Sequence, residues 1–138
     1  MLTVSPVRTP LPPRPPERFV LLVDDHEPTL LSLRQVVERA GHPCVATVCS
    51  SEAQGYCLGR KPSVLVTDLA MPRLDGHALG LWIKDRYPTV PILLVTGELL
   101  CPDRLERLRE TFTAVLTKPL QVDPFLAILN QVMPSSDC

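Results

Sequence analysis

The stretch FVLLVDD, residues 19–25, decides the fold, because five apolar residues run unbroken into two adjacent aspartates. A short apolar run of this kind predicts a strand that is buried on both faces. The next segment, residues 27–40, repeats apolar residues at helical spacing and is closed by Gly41, which predicts a helix. The first unit of the chain is therefore expected to be a buried strand followed by an amphipathic helix.

The same alternation of strand and helix continues along the chain. Strands are predicted at 44–48, 63–68, 90–96 and 113–117, and helices at about 50–59, 76–86, 99–110 and 123–133. Ser50 or Ser51 can cap the second helix, and Asp123 with Pro124 can open the last one. Because strands one, three and four are apolar nearly throughout, we predict an α/β fold: a doubly wound, five-stranded parallel sheet with helices on both faces.

Composition limits what else the chain can be. Its 138 residues suit one domain, expected at 19–133, with a short tail at 134–138. Residues 1–18 hold six prolines and predict an extended tail or linker, with a proline-rich ligand for a partner's groove as the less favoured alternative. The net charge of −1, the absence of an apolar run of about 20 residues and the lack of a secretory signal predict a cytoplasmic protein without direct nucleic-acid binding or membrane insertion.

The five cysteines show no C-x-x-C pair and none of the spacings of a metal site. We expect free thiols that behave as small hydrophobic residues.

Polar residues stand at the carboxyl ends of the predicted strands, which is where open parallel sheets bind ligands. They are Asp24, Asp25, Asp68, Thr96 and Lys118. Each alone would be an ordinary turn or capping residue. Three carboxylates in one small volume repel each other, however, so a hard dication with oxygen ligands and the Lys118 ammonium are the natural partners. Such a site suits the transfer of a phosphoryl group to a carboxylate.

Four motifs carry a family resemblance: VLLVDDHEP (20–28), VTDLAMPRLDG (66–76), LLVTGE (93–98) and LTKP (116–119). With these motifs in order at strand ends, the chain resembles the receiver domains of two-component response regulators from Phe19 to about Met133. The resemblance implies a flavodoxin-like sheet of strand order 2-1-3-4-5. It also implies a signalling domain, not an enzyme acting on separate substrates, that catalyses its own phosphotransfer and autodephosphorylation.

The resemblance also implies roles for the site residues. Asp24, Asp25 and Asp68 would hold Mg²⁺ or Mn²⁺, with Asp25 the more direct ligand of the acidic pair, and Ala70 would add its backbone carbonyl. Asp68 would be the nucleophile and phosphoacceptor. Thr96 would be the switch hydroxyl, and Lys118 would pair with a phosphoryl oxygen, with a cis bond to Pro119.

Two positions depart from the family pattern. Val115 stands where receivers usually carry a Phe or Tyr that reports phosphorylation, so switching is expected to pass through Thr96 and the loop after strand four, or not to follow the usual route. Ala70 leaves the site open, and we hypothesise that Ala70 and Glu98 set the lifetime of the phosphoryl group. His26, beside the acidic pair, is expected to be a solvated loop residue.

The resemblance implies a histidine kinase or a histidine phosphotransfer protein as phosphodonor, a downstream protein target that the sequence does not name, and possible dimerisation. The charged segment 103–110 is most simply a solvated helix face, and a first guess for the output surface. Two other readings stay open: a pseudo-receiver that binds a partner without phosphorylation, and an aspartyl-phosphate hydrolase of the haloacid-dehalogenase type. The initiating Met and the short tails favour a freestanding receiver, with the terminal receiver of a hybrid kinase as the alternative.

Overall fold

The computed structural model describes residues 18–134, so most of the predicted proline-rich tail and of the short second tail lies outside the described residues. The strands are β1 (Val20–Val23), β2 (Cys44–Thr47), β3 (Val64–Asp68), β4 (Ile92–Thr96) and β5 (Ala114–Thr117). The helices are α1 (Glu27–Arg39), α2 (Ser50–Gly59), α3 (Gly76–Arg86), α4 (Pro102–Thr111) and α5 (Val122–Val132).

The five strands form one parallel sheet in the order β2-β1-β3-β4-β5, as predicted. β1 lies between β2 and β3: Leu22 pairs with Ala46 of β2 on one side and with Val66 of β3 on the other. β3 in turn pairs with β4, where Asp68 stands opposite Val95. The register brings the carboxyl ends of β1, β3 and β4 to the same edge of the sheet, which is the edge that carries the predicted site.

Burial explains why the sequence adopts this arrangement. Every residue of β1, β3 and β4 is buried, whereas β2 and β5, at the two edges of the sheet, are mostly half-buried. Within β1, alternate side chains serve different cores: Leu21 packs with α2, α3 and α4, and Leu22 packs with α1 and α5. Two apolar layers therefore enclose the sheet, and this is why its inner strands are apolar on both faces.

Several predicted boundaries needed correction. The prediction that Ser50 or Ser51 caps α2 was wrong: Ser50 is buried inside the first turn, and Cys49 is the N-cap residue. Thr47 takes over the role, because its hydroxyl accepts the Cys49 N–H at 3.1 Å and donates to Glu52 at 2.5 Å. β4 begins at Ile92 instead of 90, and α4 begins at Pro102 instead of 99.

The cysteines behave as predicted wherever the structure describes them. Cys44, Cys49, Cys57 and Cys101 are all free. Cys57 belongs to the core below α2 and α3, and burial raises the pKa of its thiol to about 12. Within residues 18–134, none of the helices is long and apolar enough to cross a membrane.

Candidate functional site

Three aspartates meet where β1 and β3 end. Asp24 and Asp25 follow β1, and Asp68 is the last residue of β3. Each contributes a carboxylate oxygen to a group in which all these oxygens lie within 4.8 Å of one another. Asp24 and Asp68 are buried, with 2% and 9% of their surface exposed, whereas Asp25 is open to solvent. The structure therefore brings together the acidic residues that the sequence singled out.

Lys118, the first residue after β5, reaches into this acidic cluster. Its Nζ donates a hydrogen bond to Asp24 Oδ2 at 3.0 Å and lies 3.3 Å from Asp68 Oδ1. The ammonium thus bridges two of the three carboxylates and neutralises part of their charge. The predicted cis bond between Lys118 and Pro119 is confirmed.

Backbone amides fix the orientation of the two buried carboxylates. Asp24 Oδ1 accepts the His26 N–H, and Asp68 Oδ1 accepts the Leu69 N–H, both at 2.9 Å. The His26 ring itself is exposed and its Nδ1 lies 2.6 Å from Thr29 Oγ1. His26 therefore contributes to the site through its backbone, while its side chain belongs to the solvated loop that the sequence predicted.

The pKa values of Asp68 and Lys118 reflect both their burial and the charges around them. Burial and the neighbouring charge of Asp24 raise the pKa of Asp68 above its ordinary value, although Lys118 and the Leu69 N–H act in the opposite direction. Burial disfavours the Lys118 ammonium, but the hydrogen bond to Asp24 and the charges of Asp24 and Asp68 outweigh it and raise the pKa of Lys118. Lys118 therefore offsets only part of the cost of ionising Asp68 in this buried setting.

The residues present fit a divalent metal ion of the hard class. Carboxylate oxygens within 4.8 Å of one another are the ligands that Mg²⁺ and Mn²⁺ prefer, and a dication would relieve the repulsion that raises the pKa of Asp68. Beside the triad lies an open cleft of about 480 Å³, to which Asp25 and Ala70 both contribute. This cleft opens Asp25, one of the three clustered aspartates, to solvent.

Thr96 ends β4 and is almost completely buried. Its hydroxyl accepts the Glu98 N–H at 3.0 Å, and its carbonyl accepts the Lys118 N–H at 2.9 Å. The residue is thus the point at which the loop after β4 and the start of the β5–α5 loop are held together. Any rotation of its hydroxyl toward Asp68 would disturb the hydrogen bond to Glu98.

The loop after Asp68 requires glycine at position 76 for a steric reason. An added Cβ there would lie 2.0 Å from the Asp68 carbonyl oxygen. The Gly76 N–H also donates to the Leu69 carbonyl at 2.8 Å, which ties the start of α3 to the end of β3. The left-handed residue of this loop is Arg73, with φ of 69°.

Sequence reasoning missed one residue of the site. Arg104 belongs to α4 and lines the same cleft as Asp25, where its Nη1 lies 3.3 Å from Glu98 Oε1. In the sequence Arg104 falls within the charged segment 103–110, which predicts only a solvated helix face. Nothing in a run of alternating charges indicates which member points toward the strand ends.

Comparison with known proteins agrees with this geometry. The family model described as "Response regulator receiver domain" matches residues 20–130. The chain belongs to this family.

Individual relatives lead to the same family. The "Response regulator protein FleR" of Pseudomonas aeruginosa is 34% identical over 111 residues, which cover 80% of this chain and 23% of that protein. The "Polar-differentiation response regulator DivK" of Brucella anthropi is 25% identical over 119 residues, which cover 84% of this chain and 96% of that protein. Among solved structures, the chemotaxis protein CheY4 of Vibrio cholerae superposes with a TM-score of 0.77 at 24% identity, covering 84% of this chain and 98% of the other. That likeness concerns the fold alone.

The relatives differ in length. The chain spans about a quarter of the length of several curated relatives, FleR among them, but nearly the whole of DivK. What the longer proteins do with their remaining residues therefore does not transfer to this chain.

Proposed function

We propose that this chain is a phosphoacceptor receiver of a two-component or phosphorelay system, phosphorylated on Asp68 with the help of Mg²⁺ or Mn²⁺. The observation that carries the proposal is Lys118, whose ammonium joins Asp24 to Asp68 inside a cluster of three carboxylates. A domain that only binds partners gains nothing from burying carboxylates that repel each other. A function in phosphoryl transfer explains why the cluster is present.

The phosphodonor is proposed to be a histidine kinase or a histidine phosphotransfer protein. An oxygen of the Asp68 carboxylate attacks the phosphorus in line, the P–N bond of the phosphohistidine breaks, and the imidazole leaves with the electron pair. Lys118 moves its hydrogen bonds from the carboxylates to a phosphoryl oxygen. Autodephosphorylation is the attack of water on the same phosphorus, which returns the Asp68 carboxylate and releases inorganic phosphate.

Asp24, Asp25 and Asp68 would hold the metal ion, with the backbone carbonyl of Ala70 as a further ligand. When bound, the ion supplies positive charge that stabilises the phosphoryl oxygens in the transition state. The chain's own contribution is orientation: the His26 and Leu69 amides keep the carboxylates of Asp24 and Asp68 in place before the donor arrives.

Signalling is proposed to begin at Thr96, because its hydroxyl would turn from the Glu98 N–H toward a phosphoryl oxygen. The loop between β4 and α4 would follow, and α4 with its charged face would present the change to a downstream protein or to a second copy of the chain. Val115 is half-buried on β5 and packs against the core beneath α4, where it offers no ring to rotate. We therefore expect the loop between β4 and α4 to transmit the signal without the help of a rotating aromatic ring on β5.

A pseudo-receiver that binds a partner without being phosphorylated is the second candidate, and Val115 is the observation that favours it. A hydrolase of the haloacid-dehalogenase type has no such support. Members of that class carry a D-x-D motif after the first strand, whereas here Asp24 and Asp25 are adjacent.

The deciding experiment is phosphorylation by a small P–N donor such as phosphoramidate, followed by intact mass. We expect one phosphoryl group per chain, dependent on Mg²⁺, and none in Asp68→Asn. Asp85→Asn, an exposed residue of α3, is the matched control and should be labelled like the parent protein. A parent protein that stays unlabelled with Mg²⁺ and donor would establish the pseudo-receiver instead.

A further inference from the structure

The cleft beside the aspartate triad has an uneven charge. Its acidic lining residues are Asp25, Asp75 and Glu98, and Arg104 is its one basic lining residue among those the structure describes. Lys118 is engaged with Asp24 and Asp68 in the interior. The cleft adjoins Asp68 through its neighbour Leu69 and through Asp25, so an anionic phosphoryl donor that reaches Asp68 by way of the cleft passes mainly carboxylates.

The three acidic residues of the lining do not oppose the donor equally. Asp25 belongs to the group that can hold a metal ion. Asp75 caps α3, where its Oδ1 accepts the Ala78 N–H at 2.8 Å. Glu98 has neither role, and the ion pair with Arg104 at 3.3 Å compensates its charge.

The backbone of Glu98 is held at the end of β4, because its N–H donates to the Thr96 hydroxyl. Its carboxylate lines the cleft and forms its ion pair with Arg104 there.

We propose that Arg104 is a positioning residue that neutralises Glu98 at the wall of the cleft and so raises the rate at which anionic phosphodonors react with Asp68. The inference rests on the proposed function and adds a residue of α4 to it. It also assigns a purpose to one member of the charged helix face.

The size of the effect follows from the exposure of the pair. A phosphoryl group carries roughly two negative charges, and charges within about 8 Å of each other still interact in physiological salt. The side chains of Arg104 and Glu98 are, however, 46% and 42% exposed, so salt and water weaken their fields. We therefore expect a rate effect of roughly two- to fivefold that shrinks as salt is added.

The test is the initial rate of phosphorylation by acetyl phosphate with saturating Mg²⁺, at low and at high salt. Arg104→Gln should be slower at low salt and approach the parent rate at high salt. Arg107→Gln removes the same charge from an exposed position of the same helix that does not line the cleft, and should match the parent. Arg104→Lys should retain most of the rate.

Rescue separates a charge effect from a structural one. If Arg104 acts by neutralising Glu98, the double variant with Glu98→Gln should regain the parent rate. If Arg104 merely holds α4 in place, the double variant would stay slow, the loss would not depend on salt, and the melting temperature would fall. Equal rates for Arg104→Gln and Arg107→Gln would also overturn the inference, whereas a parent protein that takes up no phosphoryl group would overturn the proposed function itself.

Discussion

At the scale of single residues, Asp68 is a carboxylate whose charge the fold disfavours. Burial and Asp24 both raise its pKa, so the ionised carboxylate is a cost to the folded state when no cation is bound. We expect Asp68→Asn to stabilise the protein at pH 7 without divalent cations, by on the order of 1 kcal/mol. Thermal unfolding of the two proteins in a metal chelator measures this difference. A lower melting temperature for Asp68→Asn would contradict the charge account of the site.

Ala70 and Glu98 stand on the same cleft, and the hypothesis that they set the phosphoryl lifetime can be tested with two side chains of similar size. Ala70→Asn adds an amide that can hold a water molecule near the phosphorus, so we expect severalfold faster dephosphorylation. Ala70→Leu fills the same space without a polar group and should slow it severalfold. The decay of phosphorylated protein after removal of the donor measures both. Lifetimes that do not change would exclude a role for position 70.

At the scale of elements, the junction between β3 and α3 allows a sharp test. Gly76→Ala would place a Cβ at 2.0 Å from the Asp68 carbonyl oxygen, and because the atoms it meets are backbone, no side chain can rotate aside to make room. We expect a loss of about 1–3 kcal/mol in the free energy of unfolding, together with slower phosphorylation because Asp68 must shift.

The matched control is Gly55→Ala in α2, where an added Cβ meets nothing within 4 Å. Alanine is the better helix former, so this change should be neutral or stabilise by up to about 1 kcal/mol. Chemical denaturation gives both values. If the two glycines tolerated alanine equally well, the contact between Gly76 and Asp68 would not be a constraint on the fold.

The elements themselves could be predicted from the sequence because β1, β3 and β4 are buried on both faces and read as unbroken apolar runs. Their ends were less certain. The cap of α2 depends on the Thr47 hydroxyl, which precedes the helix by three residues, and a simple search for Ser at the first helical position misses it. Capping by a residue of the preceding strand depends on how that strand enters the turn, which local sequence does not specify.

At the scale of the whole molecule, the parallel arrangement of the strands determined which site residues could be predicted from the sequence. The side chains of Asp24, Asp68 and Lys118 converge because strand ends of a parallel sheet share an edge, and this followed from the alternating pattern. Arg104 could not be found in this way, since its place in the cleft depends on how α4 sits against the loop from β4. Leu105 and Leu108 indicate which face of α4 turns inward, but not how far the helix is shifted and tilted against that loop.

The acidic cluster and Lys118 should also govern how the stability of the whole domain depends on pH. The folded-state pKa of Asp68 lies above its unfolded value, so between these two values the folded protein binds more protons than the unfolded one. The contribution of Asp68 to stability therefore falls as pH rises through that window. Lys118 has a raised pKa as well, so its contribution is complete below its unfolded pKa and is lost only when an alkaline pH passes the folded value.

Mg²⁺ should reverse the fall in stability that Asp68 causes as pH rises, because a bound dication favours the ionised form of Asp68. Binding to the folded state alone at 100 times the dissociation constant stabilises by about 2.7 kcal/mol, and this gain should appear as pH rises and the carboxylates lose their protons. Melting curves across pH 4–9, with Mg²⁺ and with chelator, should therefore diverge toward neutral pH. In Asp68→Asn the divergence should be much smaller, while Asp85→Asn should follow the parent. Curves that stay parallel in the parent protein would mean that the aspartates do not share a metal ion.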